Sequence, residues 1–186
     1  MRRFVAGNWT GKKLAVVYLL QKSAGVLYSD CDVIAFKEPT EIIKAITSGS
    51  SLHLFDEFGY KLDPWLSARA AKVGVQVSGH FNAGLVYVPK DSMKEELLEA
   101  ILYDWEACFN THHAEQTLFS ILLAPQTPNP LPRSRYVLSW KGVWVWEQDL
   151  DCRDIVARHY VGPVRHRMYL TAYPLIKRRL LAAELL

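Results

Sequence analysis

Apolar positions along the chain switch repeatedly between helical and extended spacing. Lys12 to Ser23 reads as a helix, because Leu14, Val17, Tyr18 and the Leu19-Leu20 pair share one broad face. Gly25 ends it. Val26, Leu27 and Tyr28 then read as a buried strand, since β-branched and aromatic residues suit a covered, pleated surface. Asp30 and Asp32 stand where that strand should end. Pro39-Thr40-Glu41 has the chemistry of a helix start, Ile42, Ile43 and Ile46 supply the covered face, and Ser48-Gly-Ser-Ser51 closes it.

Leu52 to Phe55 is a short strand, and Gly59 to Ala71 a surface excursion with a short helix. Gly74 to Val77 and Gly84 to Val88 flank Ser78-Gly-His-Phe-Asn-Ala-Gly84, with a strand over Leu85 to Val88 that Pro89 stops. A helix capped by Asp91 or Ser92 carries the stripe Leu97, Leu98, Ile101, Leu102 and Trp105. Ala114 to Leu123 is another helix, with Glu115-Gln116 in its first turn. Pro125 to Pro132 is a loop, Tyr136 to Trp146 holds one or two strands, and Ile155 to His159 is a last short strand. Tyr173 to Leu186 is a basic, apolar terminal helix, and no internal repeat is present.

Composition narrows the class. With 186 residues, half of them apolar, and six Trp, nine Tyr and seven Phe, the chain has material for one domain with a real core, and disorder is excluded for the chain as a whole. A net charge of +3 is too mild to imply nucleic-acid binding. Cys31, Cys108 and Cys152 are odd in number and form no Cys-x-x-Cys, so a reducing compartment is expected. The first ten residues lack the apolar core of a signal peptide, and a cytoplasmic protein is the expectation.

The candidate chemistry starts at Asp30 and Asp32. In an extended segment, positions i and i+2 point to one side, which would aim both carboxylates at a hard divalent cation. The second such pair, Asp149-Leu-Asp151, has no strand leading into it and reads as a solvated turn. In Phe81-Asn-Ala-Gly84, Asn82 either presents its amide to a ligand beside a closely approaching backbone at Ala83 and Gly84, or belongs to a plain turn. Glu115 has an ordinary reason to open a helix, the helix dipole. His159 is a possible third metal ligand or a satisfied histidine in a C-terminal loop, with Arg165 close enough in sequence to neutralise a phosphate. His112 and His113 read as loop residues near a cap. Nucleophile elbows, Walker loops and Gly-x-Gly-x-x-Gly fingerprints are missing from the sequence.

In order, Tyr28-Ser-Asp-Cys-Asp-Val33, Phe81-Asn-Ala-Gly84, Glu115-Gln116 and His159-Tyr-Val-Gly-Pro-Val-Arg165 resemble the motifs of sugar-nucleotide-dependent glycosyltransferases of the GT-A fold. The resemblance is to the retaining glycogenin-like and galactosyltransferase-like group, over about residues 12 to 170. It implies an α/β fold, an incomplete GT-A (Rossmann-like) mixed sheet flanked by helices, in a single domain spanning 1–186. It also implies Mn²⁺ or Mg²⁺ on Asp30, Asp32 and His159, and diphosphate on Arg165, with Gly162 and Gly84 lining the donor site. Asn82 would face the sugar, and Glu115 and Gln116 would contact it, Gln116 near the reacting carbon. The implied partners are a nucleotide-sugar donor, a UDP-sugar first, and an acceptor hydroxyl. Glu115 stands where the group has aspartate, and Arg165 where it has lysine. Only about 25 residues precede the Asp-x-Asp strand, room for one helix at about 1.5 Å per residue, so the domain is expected to be N-terminally short and without its base-binding part.

Two other classes compete with an active hexosyltransferase: a truncated, inactive relative that only binds, and a metal-dependent phosphohydrolase. Lys177-Arg-Arg179 is expected to be the wet face of a helix packed on its own domain, with contact to a membrane surface the lesser reading.

Overall fold

The computed structural model describes residues 2–8, 10–103 and 113–184. Trp105, Cys108, His112 and the last two leucines lie outside the described residues, as do the readings that touch them. Helices α1 (Arg2–Gly7) and α2 (Gly11–Leu20) lead into β1 (Val26–Ser29), β2 (Val33–Ala35), α3 (Thr40–Ser48) and β3 (Leu52–Phe55). Then come α4 (Pro64–Lys72), β4 (Phe81–Val88), α5 (Glu95–Leu102) and α6 (Ala114–Leu123). Strands β5 (Asn129–Pro130), β6 (Tyr136–Leu138) and β7 (Ala157–His159) precede the last helix, α7 (Tyr173–Glu184).

The architecture is mixed α/β, with two sheets rather than one. The first runs β1-β4-β3-β5, antiparallel except for the parallel β5. The second runs β2-β7-β6, with β2 antiparallel and β6 parallel to β7. All eight residues of β4 are buried. Phe81, Ala83, Val86 and Val88 join the helices in one core, while Leu85 and Tyr87 join α3, β3 and β6 in another. Strict alternation would not put 83 and 86 on one face. They share it because β4 bulges: Val86 lies opposite His53 and Asn82 opposite Leu54, leaving Ala83, Gly84 and Leu85 unpaired on β3. Nine of the ten α6 residues are buried, Gln116 alone excepted. A helix covered nearly all round has no wet face to offer its polar residues, so Glu115 is carried inside.

Several sequence expectations need correcting. Strand β1 is an edge strand, paired on one side only, so it is half-exposed rather than buried and Leu27 faces solvent. Phe81-Asn-Ala is not a turn before a strand; it lies within β4, which begins three residues earlier than its Gly84. Helix α5 begins at Glu95 rather than behind an Asp91 or Ser92 cap: the Ser92 hydroxyl donates to the Pro89 carbonyl, and Asp91 is left-handed with φ 54°. Ile43 and Ile46 of α3 are exposed, and Ala45 packs inward beside Ile42 instead. Gly49, at φ 68°, supplies the left-handed C-cap that the Ser48-Gly-Ser-Ser51 closure requires.

Asp149 is not solvated. It forms an ion pair with the fully buried Arg158 at 2.6 Å and accepts from the Thr171 hydroxyl at 2.7 Å; only Asp151 behaves as a solvated turn residue. Arg158 also donates to the Lys141 carbonyl and lies 4.5 Å from the Tyr160 ring centroid. Helix α7 packs on the body only lightly: Leu175 is half-buried against the cluster of Phe36, Cys152, Ile155, Tyr160, Met168 and Ala172, and none of the described side chains of the helix is fully buried.

Candidate metal centre

The turn from β1 to β2 takes the chain from one sheet to the other, and both aspartates ride on it. The Asp30 N–H donates to the Gly84 carbonyl at 2.7 Å, and the Asp32 carbonyl accepts from the Tyr160 N–H at 2.8 Å. A Val33 N–H bond to the Asp30 carbonyl, 3.1 Å, closes the turn. Asp30 and Asp32 therefore converge through a turn bound to both sheets, not through the pleat of one strand.

His159 ends β7, opposite Val33. One oxygen of Asp30, one of Asp32 and a ring nitrogen of His159 lie within 4.8 Å of one another. Nε2 is 3.1 Å from Asp32 Oδ1 and 3.9 Å from Asp30 Oδ2. On the far side of the ring, Nδ1 is 3.1 Å from Asn82 Oδ1, which also accepts the Gly84 N–H at 2.8 Å. That backbone donor decides which end of the amide faces the ring. An amide oxygen only accepts, so Nδ1 must carry the proton. A neutral ring then points the bare Nε2 lone pair at two carboxylates. The three groups need a positive charge among them, either a proton on Nε2 or a metal ion, and a ligating histidine anchored through its other nitrogen has this same form.

The bulge makes room for the ring. A Cβ at Gly84 would overlap His159 Cε1 and Nδ1 and lie 2.8 Å from Asn82 Oδ1. Two carboxylate oxygens and one imidazole nitrogen suit Mn²⁺ or Mg²⁺.

Two cations flank the carboxylates. Lys13 Nζ lies 3.1 Å from Asp30 Oδ1 and 3.4 Å from Glu115 Oε1. Arg165 Nη2 lies 2.6 Å from Asp32 Oδ2, on the oxygen that does not face His159. Burial opposes ionisation of Asp32, but His159 and Arg165 outweigh it and hold the carboxyl at about 2. The Tyr28 hydroxyl donates to Asp30 Oδ1 at 2.9 Å, and burial, with that carboxylate beside it, pushes the phenol up. Lys13 is the site residue that sequence reasoning missed. Its signal was there: it precedes Val17 by four positions and so opens the buried stripe of α2.

Burial pushes the Glu115 carboxyl up to about 7; Lys13 pulls it down and Asp30 adds to the rise. A carboxyl that holds its proton more tightly when folded favours the fold fully below its ordinary 4.5, and the contribution is lost as pH rises through about 7. Urea unfolding of wild type and Glu115→Gln should therefore diverge over that window. Wild type is expected to lose about 2–3 kcal/mol relative to the variant. Parallel pH profiles would show that Glu115 bears no such burden.

The other sequence-predicted residues are placed less tightly. Gln116 is half-buried, and its Oε1 accepts the Ala83 N–H at a long 3.4 Å. Gly162 starts a short 3₁₀ turn (Gly162–Val164) and is exposed, with open space where a Cβ would be. His113 immediately precedes α6, with its ring 5.1 Å from that of Tyr60. A surface hollow of about 300 Å³ lies elsewhere, between α3 and the β3–β5 edge. Its acidic residue, Glu41, is already paired with Arg135 and Tyr136, so the hollow has less to offer a ligand than the carboxylate cluster.

Compared with models of protein families, with curated proteins and with solved structures, the chain matches none.

Proposed function

We propose that Asp30, Asp32 and His159 hold one divalent cation, Mn²⁺ or Mg²⁺, in an incomplete GT-A-like domain that transfers a sugar from a nucleotide-sugar to an acceptor hydroxyl. The observation that supports the metal most directly is the placement of the His159 ring, with Nδ1 against Asn82 Oδ1 and Nε2 facing two carboxylates. Sugar transfer rests on the order of the four motifs and on the two cations beside the cluster.

A divalent ion in this centre would act as a Lewis acid toward the departing diphosphate. Asp30 and Asp32 contribute the hard oxygen ligands. Asn82 keeps the imidazole in ligating form, while Lys13 and the more than half-exposed Arg165 side chain supply positive charge to phosphate oxygens. Gln116 has its oxygen turned to Ala83 N–H, which leaves its NH₂ group to donate to a sugar hydroxyl.

A second reading, a metal-binding module without transfer, draws on one observation: Lys13 and Arg165 already form ion pairs with both carboxylates. Calorimetry separates the two. Titration with MnCl₂ should give one site, and UDP should then bind only with Mn²⁺ present. Heat from Mn²⁺ but none from UDP selects the binding module. UDP-glucose cleavage that no acceptor accelerates selects a phosphohydrolase, and no heat from Mn²⁺ sinks every metal-based reading.

A further inference from the structure

We infer that the C-terminal part of the chain docks onto an anionic membrane surface. Residues 155–181 contain six Lys or Arg and not one Asp or Glu; Arg158 and Arg167 are buried, and the exposed cations described there are Arg165, Lys177 and Arg178. Exposed apolar side chains fall in the same stretch: Tyr169, Leu170, Tyr173, Leu180 and Leu181. On α7, Leu175 is half-buried against the core, while Lys177, Arg178, Leu180 and Leu181 are exposed. Basic residues interleaved with leucines and tyrosines are the composition of a helix that lies in a lipid interface.

A neighbouring loop extends the surface. Trp144, Val145 and Trp146 are exposed, Trp146 by 82%. The loop that bears them is held from inside. The buried Arg167 donates through Nε to the Gly142 carbonyl at 2.8 Å, and through Nη2 to the carbonyls of Trp144 and Glu147, each at 2.6 Å. Gly142 N–H donates to the Glu147 carboxylate at 3.0 Å. Arg167 thus ties the tryptophan loop to the segment from which Tyr169, Leu170 and Tyr173 project. A loop ordered in advance presents its indoles at little entropic cost, and Trp and Tyr favour the water–lipid boundary.

Charge complementarity selects anionic lipid. Single-stranded nucleic acid would also attract the basic and aromatic residues, but it gives no partner to Val145, Leu170, Leu180 and Leu181, whereas the acyl boundary does. Among the described residues no helix is long and apolar enough to cross a membrane, so the contact is interfacial.

The test is flotation of the full chain with vesicles of phosphatidylcholine alone, or with one part phosphatidylglycerol to two parts phosphatidylcholine. Binding should be at least about tenfold tighter to the anionic vesicles, weaken in high salt, and shift Trp emission to the blue. Replacing both Lys177→Gln and Arg178→Gln should lower partitioning about 30-fold, from about fivefold per charge. Trp144→Ser with Trp146→Ser should remove most of the blue shift and weaken binding; the single Trp146→Ser serves if circular dichroism shows the pair misfolded. Equal binding to neutral vesicles, no flotation, or variants that bind like wild type would each overturn the inference. Binding of polyuridylate without vesicle binding would do the same and point to nucleic acid.

Discussion

Replacing Asp149 with alanine is expected to cost the fold about 3–5 kcal/mol, measured by urea unfolding at neutral pH. Arg158 has no exposed surface, and its Nη1 is neutralised by Asp149 at 2.6 Å. Removing the carboxylate leaves a guanidinium charge in the protein interior, bonded to the Lys141 carbonyl and lying against the face of Tyr160. Among the described residues that it contacts, no carboxylate remains to pair with it. A loss of that size consumes much of the stability of an ordinary domain, about 5–15 kcal/mol. Adding Arg158→Met should recover most of it, because an apolar pair of similar volume carries no desolvation penalty. Acid should imitate the single variant. Burial opposes ionisation of Asp149, but Arg158 and Thr171 outweigh it and hold the carboxyl below its ordinary 3.8. Its contribution is therefore complete above pH 3.8 and lost as pH falls further. A loss under about 1 kcal/mol in Asp149→Ala would show that the pair does not hold the C-terminal block together.

Mn²⁺ binding is expected to disappear in Asp32→Asn and to weaken at least about 100-fold in Gly84→Ala, for different reasons. The first change keeps the side chain's shape and removes an anionic ligand. The second adds only a methyl group, but that methyl would occupy the space of the His159 ring and crowd Asn82 Oδ1. The ring must tilt out of line or the bulge must close, and a displacement of either kind breaks the alignment of three ligands from two sheets. Asn82→Ala, which frees the ring without filling its place, should cost about 10–100-fold, the usual effect of losing the group that orients a ligating histidine. Electron paramagnetic resonance of bound Mn²⁺ measures all three. Undiminished binding in Gly84→Ala would mean that His159 is not a ligand.

Much of the fold was legible because periodicity reports which local face is covered. The α2 helix with Leu14, Val17 and Tyr18 on its covered face, the α6 helix, the α3 helix with its Gly49 end and the Leu52 to Phe55 strand were all readable. Leu19 and Leu20, expected on the covered face of α2, are exposed. The β4 bulge was not legible. Asn-Ala-Gly has turn chemistry, and only pairing with β3 on one side and β1 on the other shows a continuous strand with three residues pushed out of register. The exposed flank of β1 was hidden for a similar reason: Val-Leu-Tyr reads alike in an edge and a central strand. Asp149 misled because a buried partner nine residues away in β7 cannot be seen from a turn-like sequence.

For the candidate site, the sequence by itself determined that Asp30, Asp32 and His159 stood among polar interruptions of apolar strands, and that Arg165 followed within reach. Only the tertiary structure decided that they meet. The β1–β2 turn crosses between two sheets, β7 brings His159 opposite Val33, and the β4 bulge opens a place for the ring. It also added Lys13 and turned Asn82 toward the imidazole. The reason is physical: hydrophobic spacing encodes the faces of single elements, whereas ligand convergence depends on registers and turns between residues as far apart as 30 and 159, for which a linear pattern carries no signal.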